Sequence, residues 1–292
     1  MKADIYNTDG SKSGSVELPS QFNEPLRKDL IQRAFLAIRS NKKQPYGSYP
    51  TAGQRVSAKI SRRRRDFRGS YGKGISRAPR KILLRRGSQF QWMGAFAPGT
   101  YKGRRAHVPK AYKIYDEKIN KKENRKAIRS ALSAVINQEL VKARGHLFKY
   151  LPLIIDNKLY DLKKTKDLLK FLEKIGLENE LQRLDVKKVK AGQGSKRGRK
   201  YQNKKGPLFV LGKKHEVSKV LTSIKGIDCT LINNINVELL APGGTPGRLT
   251  LFTKDAIDIL NEKKLFTNEI KQEVSKKVIG KASSKEGSKV KK

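Results

Sequence analysis

Residues 42–113 constrain the fold more than any other part of the chain, because they cannot build a core of their own. They contain 20 Lys and Arg, nine Gly and a single acid, Asp66, and no hydrophobic periodicity lasts a dozen residues. The four consecutive cations Arg62–Arg65 repel one another. Structureless segments of this length are uncommon in compact domains and are usually functional or disordered. The segment is therefore either disordered or held by a large polyanion.

The whole chain shares this charge imbalance. It has 292 residues, with 67 Lys and Arg against 26 Asp and Glu, and a net charge of +41. Such a charge favours polyanionic partners, with nucleic acid the first candidate and an anionic membrane surface the second. The length allows one or two domains, and the hydrophobic fraction of 36% suffices for one moderate core.

The chain also lacks several signals for other compartments. Cys229 is the only cysteine, which excludes an internal disulfide or a cysteine-based zinc site and fits a reducing compartment. No apolar run reaches the length of about 18 residues that a transmembrane helix needs. The opening MKADIYNTDG lacks the apolar core of a secretion signal. These features predict a cytoplasmic or nuclear protein.

Strands and helices alternate outside the basic segment. Residues 3–18 predict two strands around a turn, and a helix follows with Asn23 as its cap and Ser40 near its end. Further on, the pattern predicts helices at 120–145, 165–175, 214–224 and 253–260, and strands at 150–156, 185–189, 208–211, 227–230 and 248–252. This alternation predicts an α/β fold with one mostly parallel sheet covered on both faces.

The basic segment must leave this globule and return to it. Two passes of about 35 residues would reach up to ~100 Å if fully extended. The chain is therefore predicted to have four parts: residues 1–41 with the first strands and helix of the globule, 42–115 as an extended basic arm, 116–265 as the rest of the globule with a second basic loop at 190–206, and 266–292 as a Lys-rich, disordered tail.

Aromatic side chains are interleaved with the cations of the arm, which a purely solvated run of charges does not require. Guanidinium groups bind phosphates and stack on bases, and aromatic rings stack on unpaired bases. The composition therefore favours RNA, with ordering on binding and a steep salt dependence. The aromatic residues are Tyr46, Tyr49, Phe67, Tyr71, Phe90, Trp92, Phe96 and Tyr101.

Motifs for nucleotide binding and catalysis are missing from the sequence. The glycines at 69–74 do not fit G-x-G-x-x-G, no G-x-x-x-x-G-K-[ST] occurs, and no helix is predicted directly after 190–206. The histidines are scattered without metal-ligand spacing. We expect His107 to contact RNA, His146 to be a capping or core residue, and His215 to lie on a helix surface. The sequence predicts neither an enzyme nor a bound cofactor.

Several segments resemble one family of proteins. They are KQPYGS (43–48), YKGRRAHVPK (101–110), IRSAL (128–132), KAGQGSKRGRKY (190–201) and ELLAPGGTPGRLTLFT (238–253). In this order they resemble the archaeal and eukaryotic branch of the universal family of large-subunit ribosomal protein number four, over residues 2–262. Within that branch, the segments resemble the archaeal proteins.

The resemblance implies a three-layer α/β globule and an arm that threads through large-subunit rRNA. The arm tip of this family helps to form the narrow part of the polypeptide exit tunnel, opposite large-subunit protein number twenty-two. Here the tip corresponds to 67–80. The implied partners are rRNA, neighbouring ribosomal proteins and the nascent polypeptide, with no membrane and no homo-oligomer. Ribosomal RNA-associated Mg²⁺ is the only metal implied.

Site residues follow from the basic character of the arm and loop and from this resemblance. The tunnel-tip candidates are Ser70, Tyr71, Lys73 and Arg77. The predicted rRNA contacts are Arg55, Arg62, Arg63, Arg64, Arg65, Arg68, Lys73, Arg77, Arg80, Arg85, Arg86, Trp92, Lys102, Arg104, Arg105, His107, Lys110, Lys196, Arg197, Arg199, Lys200 and Arg248.

Two other functions fit parts of the pattern. An RNA-processing α/β enzyme with a basic substrate clamp would need acids or histidines that converge with a nucleophile at the strand ends, and the sequence offers no such set. A DNA-compacting protein would need neither the interleaved aromatic residues nor the arm. We therefore predict a structural protein of the large ribosomal subunit, located on the cytoplasmic ribosome.

Overall fold

The computed structural model describes residues 2–58, 60–66, 69–87 and 89–267. The chain divides into two units. One comprises the described residues up to Ser40 together with those from Glu117 onward, and we call it the globule. The other is Asn41–Asp116, and we call it the basic unit. Nearly all of the predicted tail at 266–292 lies outside the described residues.

Strands and helices alternate along the described part of the globule. The strands are β1 (Lys2–Tyr6), β2 (Lys12–Glu17), β5 (Leu153–Ile155), β6 (Lys188–Val189), β7 (Tyr201–Gln202), β8 (Leu208–Leu211), β9 (Asp228–Leu231) and β10 (Thr250–Thr253), while β3 (Arg80–Arg86) and β4 (Gln89–Gly94) belong to the basic unit. The helices are α1 (Lys28–Asn41), α2 (Lys121–Ile136), α3 (Gln138–Ala143), α4 (Thr165–Lys174), α5 (Glu178–Asp185), α6 (Val217–Ser223), α7 (Val237–Leu240) and α8 (Lys254–Glu262).

The central sheet of the globule is mostly parallel, as the sequence predicted. Its strand order is β2-β1-β5-β10-β8-β9, and only the β1–β2 pair is antiparallel. Phe252 in the middle strand lies opposite Ile154 on one side and Val210 on the other. Strands β5, β8 and β10 are buried along their whole length, which explains why their sequences are continuous apolar runs.

Helices cover both faces of this sheet and form two hydrophobic cores. Side chains such as Ile154 and Phe252 pack against α1, α2, α7 and α8 on one face. The alternate residues, such as Phe209 and Leu251, pack against α3, α4 and α6 on the other. Because successive side chains of a strand point to opposite faces, one set of strands supplies both cores. The globule therefore has three layers.

The first helix begins later than the sequence predicted. Asn23 ends a short 3-10 turn, Ser20–Asn23, and α1 starts only at Lys28. The residues between are held by α2, since the Arg27 N–H donates to Ser130 Oγ at 2.6 Å and this hydroxyl donates to the Pro25 carbonyl at 3.1 Å. A tertiary contact 103 positions away in sequence thus overrides the local capping signal.

Other predicted elements also differ from the structure, and the helix predicted at 120–145 is divided at Asn137 into α2 and α3. Helix α5 was not predicted, and the strand expected at 185–189 is reduced to Lys188–Val189. The strand expected at 150–156 is Leu153–Ile155, because Pro152, which has no N–H to donate, precedes it. The predicted helix at 165–175 is confirmed as α4.

Within the basic unit, the outgoing and returning passes of the chain lie side by side. The rings of Tyr46 and Tyr115 stack with centroids 6.2 Å apart, and the Ser48 N–H donates to the Pro109 carbonyl at 3.1 Å. A Cβ atom on Gly53 would lie only 1.8 Å from the Arg105 carbonyl oxygen. Glycine is thus required where the two passes touch.

The basic unit also contains a β-hairpin that the sequence did not predict. Strand β3 pairs antiparallel with β4, for example Ile82 with Trp92. The β3 sequence RKILLRR lacks alternation of apolar and polar residues, because its side chains are largely exposed on both faces. Among the described residues of the basic unit, the buried apolar side chains are only those of Ala95 and Ala97. The unit therefore has almost no hydrophobic core.

Candidate nucleic-acid interface

The basic unit presents charge and aromatic rings on an exposed surface. Its sequence holds 20 Lys and Arg against Asp66 and Asp116. Large apolar side chains are exposed as well, including Tyr46 at 64% and Tyr101 at 91%. Cations and exposed rings together match a nucleic acid, whose phosphates pair with the charges and whose bases stack on the rings.

Nearly all of the predicted RNA contacts are accessible in the structure. Arg80, Trp92 and Lys110 are half-buried, and Arg68 lies outside the described residues. The exposed ones are Arg55, Arg62, Arg63, Arg64, Arg65, Lys73, Arg77, Arg85, Arg86, Lys102, Arg104, Arg105, His107, Lys196, Arg197, Arg199 and Lys200. These side chains can reach a partner without rearrangement of a core.

A compact turn presents the run of four arginines. Ser61 Oγ donates to the Asp66 carboxylate, and the backbone of Ser61 forms an isolated parallel β-bridge with that of Gly69. Arg65 adopts a left-handed backbone conformation with φ of 58°. Arg62–Arg65 are all exposed, so the turn displays four guanidinium groups over a short stretch of chain.

The predicted tip contains one buried and three exposed candidates. Ser70 is only 5% exposed, whereas Tyr71, Lys73 and Arg77 are exposed. The Arg77 guanidinium lies 4.8 Å from the Tyr71 ring centroid and donates to the Tyr71 hydroxyl at 3.1 Å. Gly72 has φ of 73°, which favours glycine at this turn.

The hairpin carries an aromatic pair beside a cation. The rings of Phe90 and Trp92 lie 5.4 Å apart, and the Lys73 ammonium lies 5.0 Å from the Trp92 ring. These three residues, with Leu84 and Arg86, line most of an open cavity of about 530 Å³. A nucleobase fits such a place, because it stacks on the rings while its phosphate pairs with the cations.

The second basic loop leaves the globule between two short paired strands. Val189 lies opposite Tyr201 in the β6–β7 pair, and the Lys190 N–H donates to the Lys200 carbonyl at 2.9 Å. The glycines of the loop are not followed by a helix, in contrast to phosphate-binding loops of nucleotide-binding enzymes. The loop therefore offers exposed cations without a built nucleotide site.

Arg248 differs from the other predicted RNA contacts, because it is fully buried. Its Nε donates to the Gly206 carbonyl at 2.8 Å, its Nη1 to the Leu239 carbonyl at 2.9 Å and its Nη2 to Asp228 Oδ2 at 2.6 Å. An RNA phosphate cannot reach a guanidinium group in this position. We therefore remove Arg248 from the proposed RNA contacts and assign it to the core of the globule.

A buried polar cluster around Glu180 was not predicted from the sequence. This carboxylate is 0% exposed; it accepts from the Leu147 N–H at 3.1 Å and from Arg183 Nε at 2.8 Å, and its Oε1 lies 2.7 Å from His146 Nδ1. His146 is thus a core residue, as predicted. A separation of 34 positions between a histidine and a glutamate matches no recognised motif, so the sequence carried no signal for the cluster.

Comparison with known proteins decides which family the chain belongs to. Residues 16–263 match the model of the family described as "Ribosomal protein L4/L1 family". The chain belongs to the ribosomal protein L4/L1 family. It is 51% identical over 268 residues to the large ribosomal subunit protein uL4 of Nanoarchaeum equitans, covering 91% of this chain and 100% of that protein. The uL4 proteins of Archaeoglobus fulgidus and Methanocaldococcus jannaschii are 41% and 40% identical, each covering 90% of this chain and 99% of their own length.

Membership of the L4/L1 family confirms the prediction of a structural ribosomal protein of archaeal type, located on the cytoplasmic ribosome. The interpretation as an RNA-processing enzyme finds no support. The family implies rRNA and other ribosomal proteins as partners. Over the described ranges, no group of His, Cys, Asp and Glu residues could hold a metal ion. No helix in the same ranges is long and apolar enough to cross a membrane.

Acidification should destabilise this L4/L1-family globule through the buried cluster. Burial lowers the pKa of His146, and Glu180 only partly opposes this. The unfolded chain therefore takes up the histidine proton first as the pH falls below 6.5, and the free energy of unfolding decreases by up to about 1.4 kcal/mol per pH unit. Burial would raise the pKa of Glu180, but hydrogen bonds from Arg183, His146 and Leu147 outweigh burial and lower it. The contribution of Glu180 to the free energy of unfolding is therefore fully present above pH 4.5. It is lost as the pH falls through the pKa of Glu180 in the folded state.

Urea unfolding at about pH 7.5, 6, 5 and 4 measures this effect. The variant His146→Asn is the control, because its amide can still donate to Glu180 but does not titrate. We expect it to lose the pH dependence between about pH 7 and 5.5 while it keeps the decline at lower pH. A wild-type stability that stays constant over the whole range would contradict the assignment.

Proposed function

We propose that the chain stabilises the large ribosomal subunit by holding segments of rRNA together, with residues 42–115 as an arm that threads through the RNA. One observation carries this proposal: the sequence of the basic unit contains 20 Lys and Arg, yet the buried apolar side chains among its described residues are only those of Ala95 and Ala97. A segment with this charge and this little core gains too little from its own packing to offset its conformational entropy. Phosphates supply the missing stabilisation.

The proposed mechanism is electrostatic and not catalytic. The exposed guanidinium groups of Arg62–Arg65 neutralise converging phosphates, and counterions are released when they bind. Exposed rings stack on unpaired bases. The globule, formed by 1–41 and 116–265, anchors the arm and adds contacts through Lys196, Arg197, Arg199 and Lys200 of the basic loop. Magnesium ions in this proposal belong to the rRNA.

The tip at 67–80 contributes to the wall of the exit tunnel in this proposal. The support comes from the resemblance to the family, in which the tip faces protein number twenty-two and the nascent polypeptide. Tyr71, Lys73 and Arg77 are the candidates for the lumen because they are exposed. Ser70 is a weaker candidate because it is buried in the turn.

Trp92 provides a direct test of the arm's contact with RNA, because it is the only tryptophan in the chain. We expect large-subunit rRNA to quench its fluorescence when a base replaces the Lys73 ammonium at the ring. Trp92→Ala should weaken rRNA binding by about 1–3 kcal/mol, the usual value of one stacked base. Trp92→Phe keeps an aromatic face and should retain most of the affinity. Unchanged fluorescence at saturating rRNA would exclude a stacked base at Trp92.

A further inference from the structure

The globule contains a second cavity, which sequence analysis did not assign to RNA. It has a volume of about 670 Å³, within the range of ligand sites. Five cations and one histidine line it, and no acid does. The charged and titratable lining residues are Lys28, Arg144, His146, Arg183, Lys204 and Lys205. A concave surface with this composition attracts an anion.

Only part of this positive charge is neutralised by the protein itself. Glu180 pairs with Arg183, and Asp228 pairs with Lys205. Lys28, Arg144 and Lys204 form no ion pair within the described part of the chain, and Arg144 donates only to the carbonyls of Thr245 and Pro242 and to the Thr245 hydroxyl. Burial, together with repulsion from Arg248 and Arg183, lowers the pKa of Arg144 to about 10. An anion in the cavity would relieve this repulsion.

The histidine of the cavity wall has an incomplete set of hydrogen bonds. His146 Nδ1 lies 2.7 Å from a Glu180 oxygen, whereas His146 Nε2 is buried without any hydrogen-bond partner. The carboxylate holds the ring proton on Nδ1, so the neutral ring leaves Nε2 as an acceptor. A buried acceptor without a hydrogen-bond partner is unfavourable. A hydroxyl group of a ligand could donate the missing hydrogen bond to Nε2.

We propose that this cavity binds one ribonucleotide unit of an RNA chain. Lys28, Arg144 and Lys204 pair with its phosphate, and the 2′-hydroxyl of its ribose donates to His146 Nε2. Because Nε2 is shielded from solvent in the free chain, binding requires a small outward movement of the lining side chains. The proposal rests on the RNA-binding function proposed above and adds a site on the globule, away from the arm in sequence.

The three histidines make the site observable in the full-length chain. His146 reports on this cavity, His107 on the basic unit, and His215 on a separate cavity that Lys163 and Lys219 also line. The experiment records the ring nitrogen resonances during titration with an RNA trinucleotide, the matching DNA trinucleotide and inorganic phosphate. We expect saturable shifts of His146 but not His215, with RNA binding about 3–10-fold tighter than DNA because of one extra hydrogen bond.

Charge variants complete the test. Lys28→Gln with Lys204→Gln should weaken the RNA effect on His146 by about 10-fold, the usual loss for a charged hydrogen bond. The matched control, Lys163→Gln with Lys219→Gln, removes the same charge beside His215 and should change nothing. The proposal is overturned if His146 does not respond, if all three histidines shift in parallel, if inorganic phosphate binds as tightly as RNA, or if RNA and DNA bind equally. Quenching of Trp92 by rRNA alongside a silent His146 would reject this site alone, whereas loss of both would reject the RNA-binding function.

Discussion

Raising the salt concentration from about 50 to 200 mM should lower the affinity of the full-length chain for large-subunit rRNA by roughly 10³–10⁵-fold. The reason is the release of counterions when six to ten phosphates, roughly, are neutralised. The chain carries a net charge of +41, and the cations of its basic unit are mostly exposed, so at least this number of contacts is available. Filter binding or fluorescence titration at several salt concentrations gives the slope directly.

The arginine run should account for a defined part of that slope. Replacing Arg62–Arg65 by glutamine should reduce the slope of log affinity against log salt by about 3, since each phosphate contact contributes roughly 0.7–0.9. The control removes the same charge from the exposed lysines of and around α4: Lys163, Lys164, Lys166 and Lys170. It should change the slope by much less. Equal effects of the two quadruple variants would show that binding follows net charge and not the arm.

Replacing Arg248 by alanine should cost about 3–5 kcal/mol of unfolding free energy, because its three charged hydrogen bonds, to the Gly206 and Leu239 carbonyls and to Asp228, are lost. Its side chain is 1% exposed, and it links the chain just before β10 to the carbonyls of Gly206 and Leu239 and to Asp228. Without it, the carbonyls of Gly206 and Leu239 lose a charged donor, and Lys205 remains as an ion-pair partner of Asp228.

Urea unfolding of the Arg248→Ala variant measures this loss. Arg33→Ala is the matched control, because Arg33 is 60% exposed and lies 3.4 Å from Glu123. An exposed pair of this kind contributes about 1 kcal/mol or less. A variant Arg248→Ala with normal stability but weakened rRNA binding would contradict the assignment to the core and restore the prediction made from sequence.

The parts of the fold that the sequence predicted are those set by local pattern. Leu208–Leu211 is a continuous apolar run and forms a buried central strand, and α4 follows an amphipathic period that ends before Gly176. The start of α1 was predicted too early because the contact of Ser130 with the chain at Arg27 is tertiary. The hairpin strand Arg80–Arg86 carries no alternating pattern that a sequence can reveal.

The residues of the candidate sites can likewise be separated into those that local sequence indicates and those that depend on tertiary contacts. Charge and composition predicted cations of the basic unit that are exposed in the structure, and their binding to rRNA is the proposal made above. Arg248 was predicted to contact RNA because of its charge, and the charge of a residue does not indicate whether it is buried. The cavity on the globule escaped prediction because it joins residues from separate elements, such as Lys28, Arg144 and Lys204. Only folding brings these three cations together.

Hydrogen exchange of the backbone amides, in the free chain and in its complex with large-subunit rRNA, shows whether the basic unit depends on RNA for its shape. We expect the amides of residues 41–116 to exchange in the free chain with opening free energies close to zero, and rRNA to protect them strongly. Amides of β5, β8 and β10 should be protected in both states. If the amides of 41–116 were as well protected in the free chain as those of β8, the basic unit would hold its shape without RNA, and the proposed dependence on rRNA would be wrong.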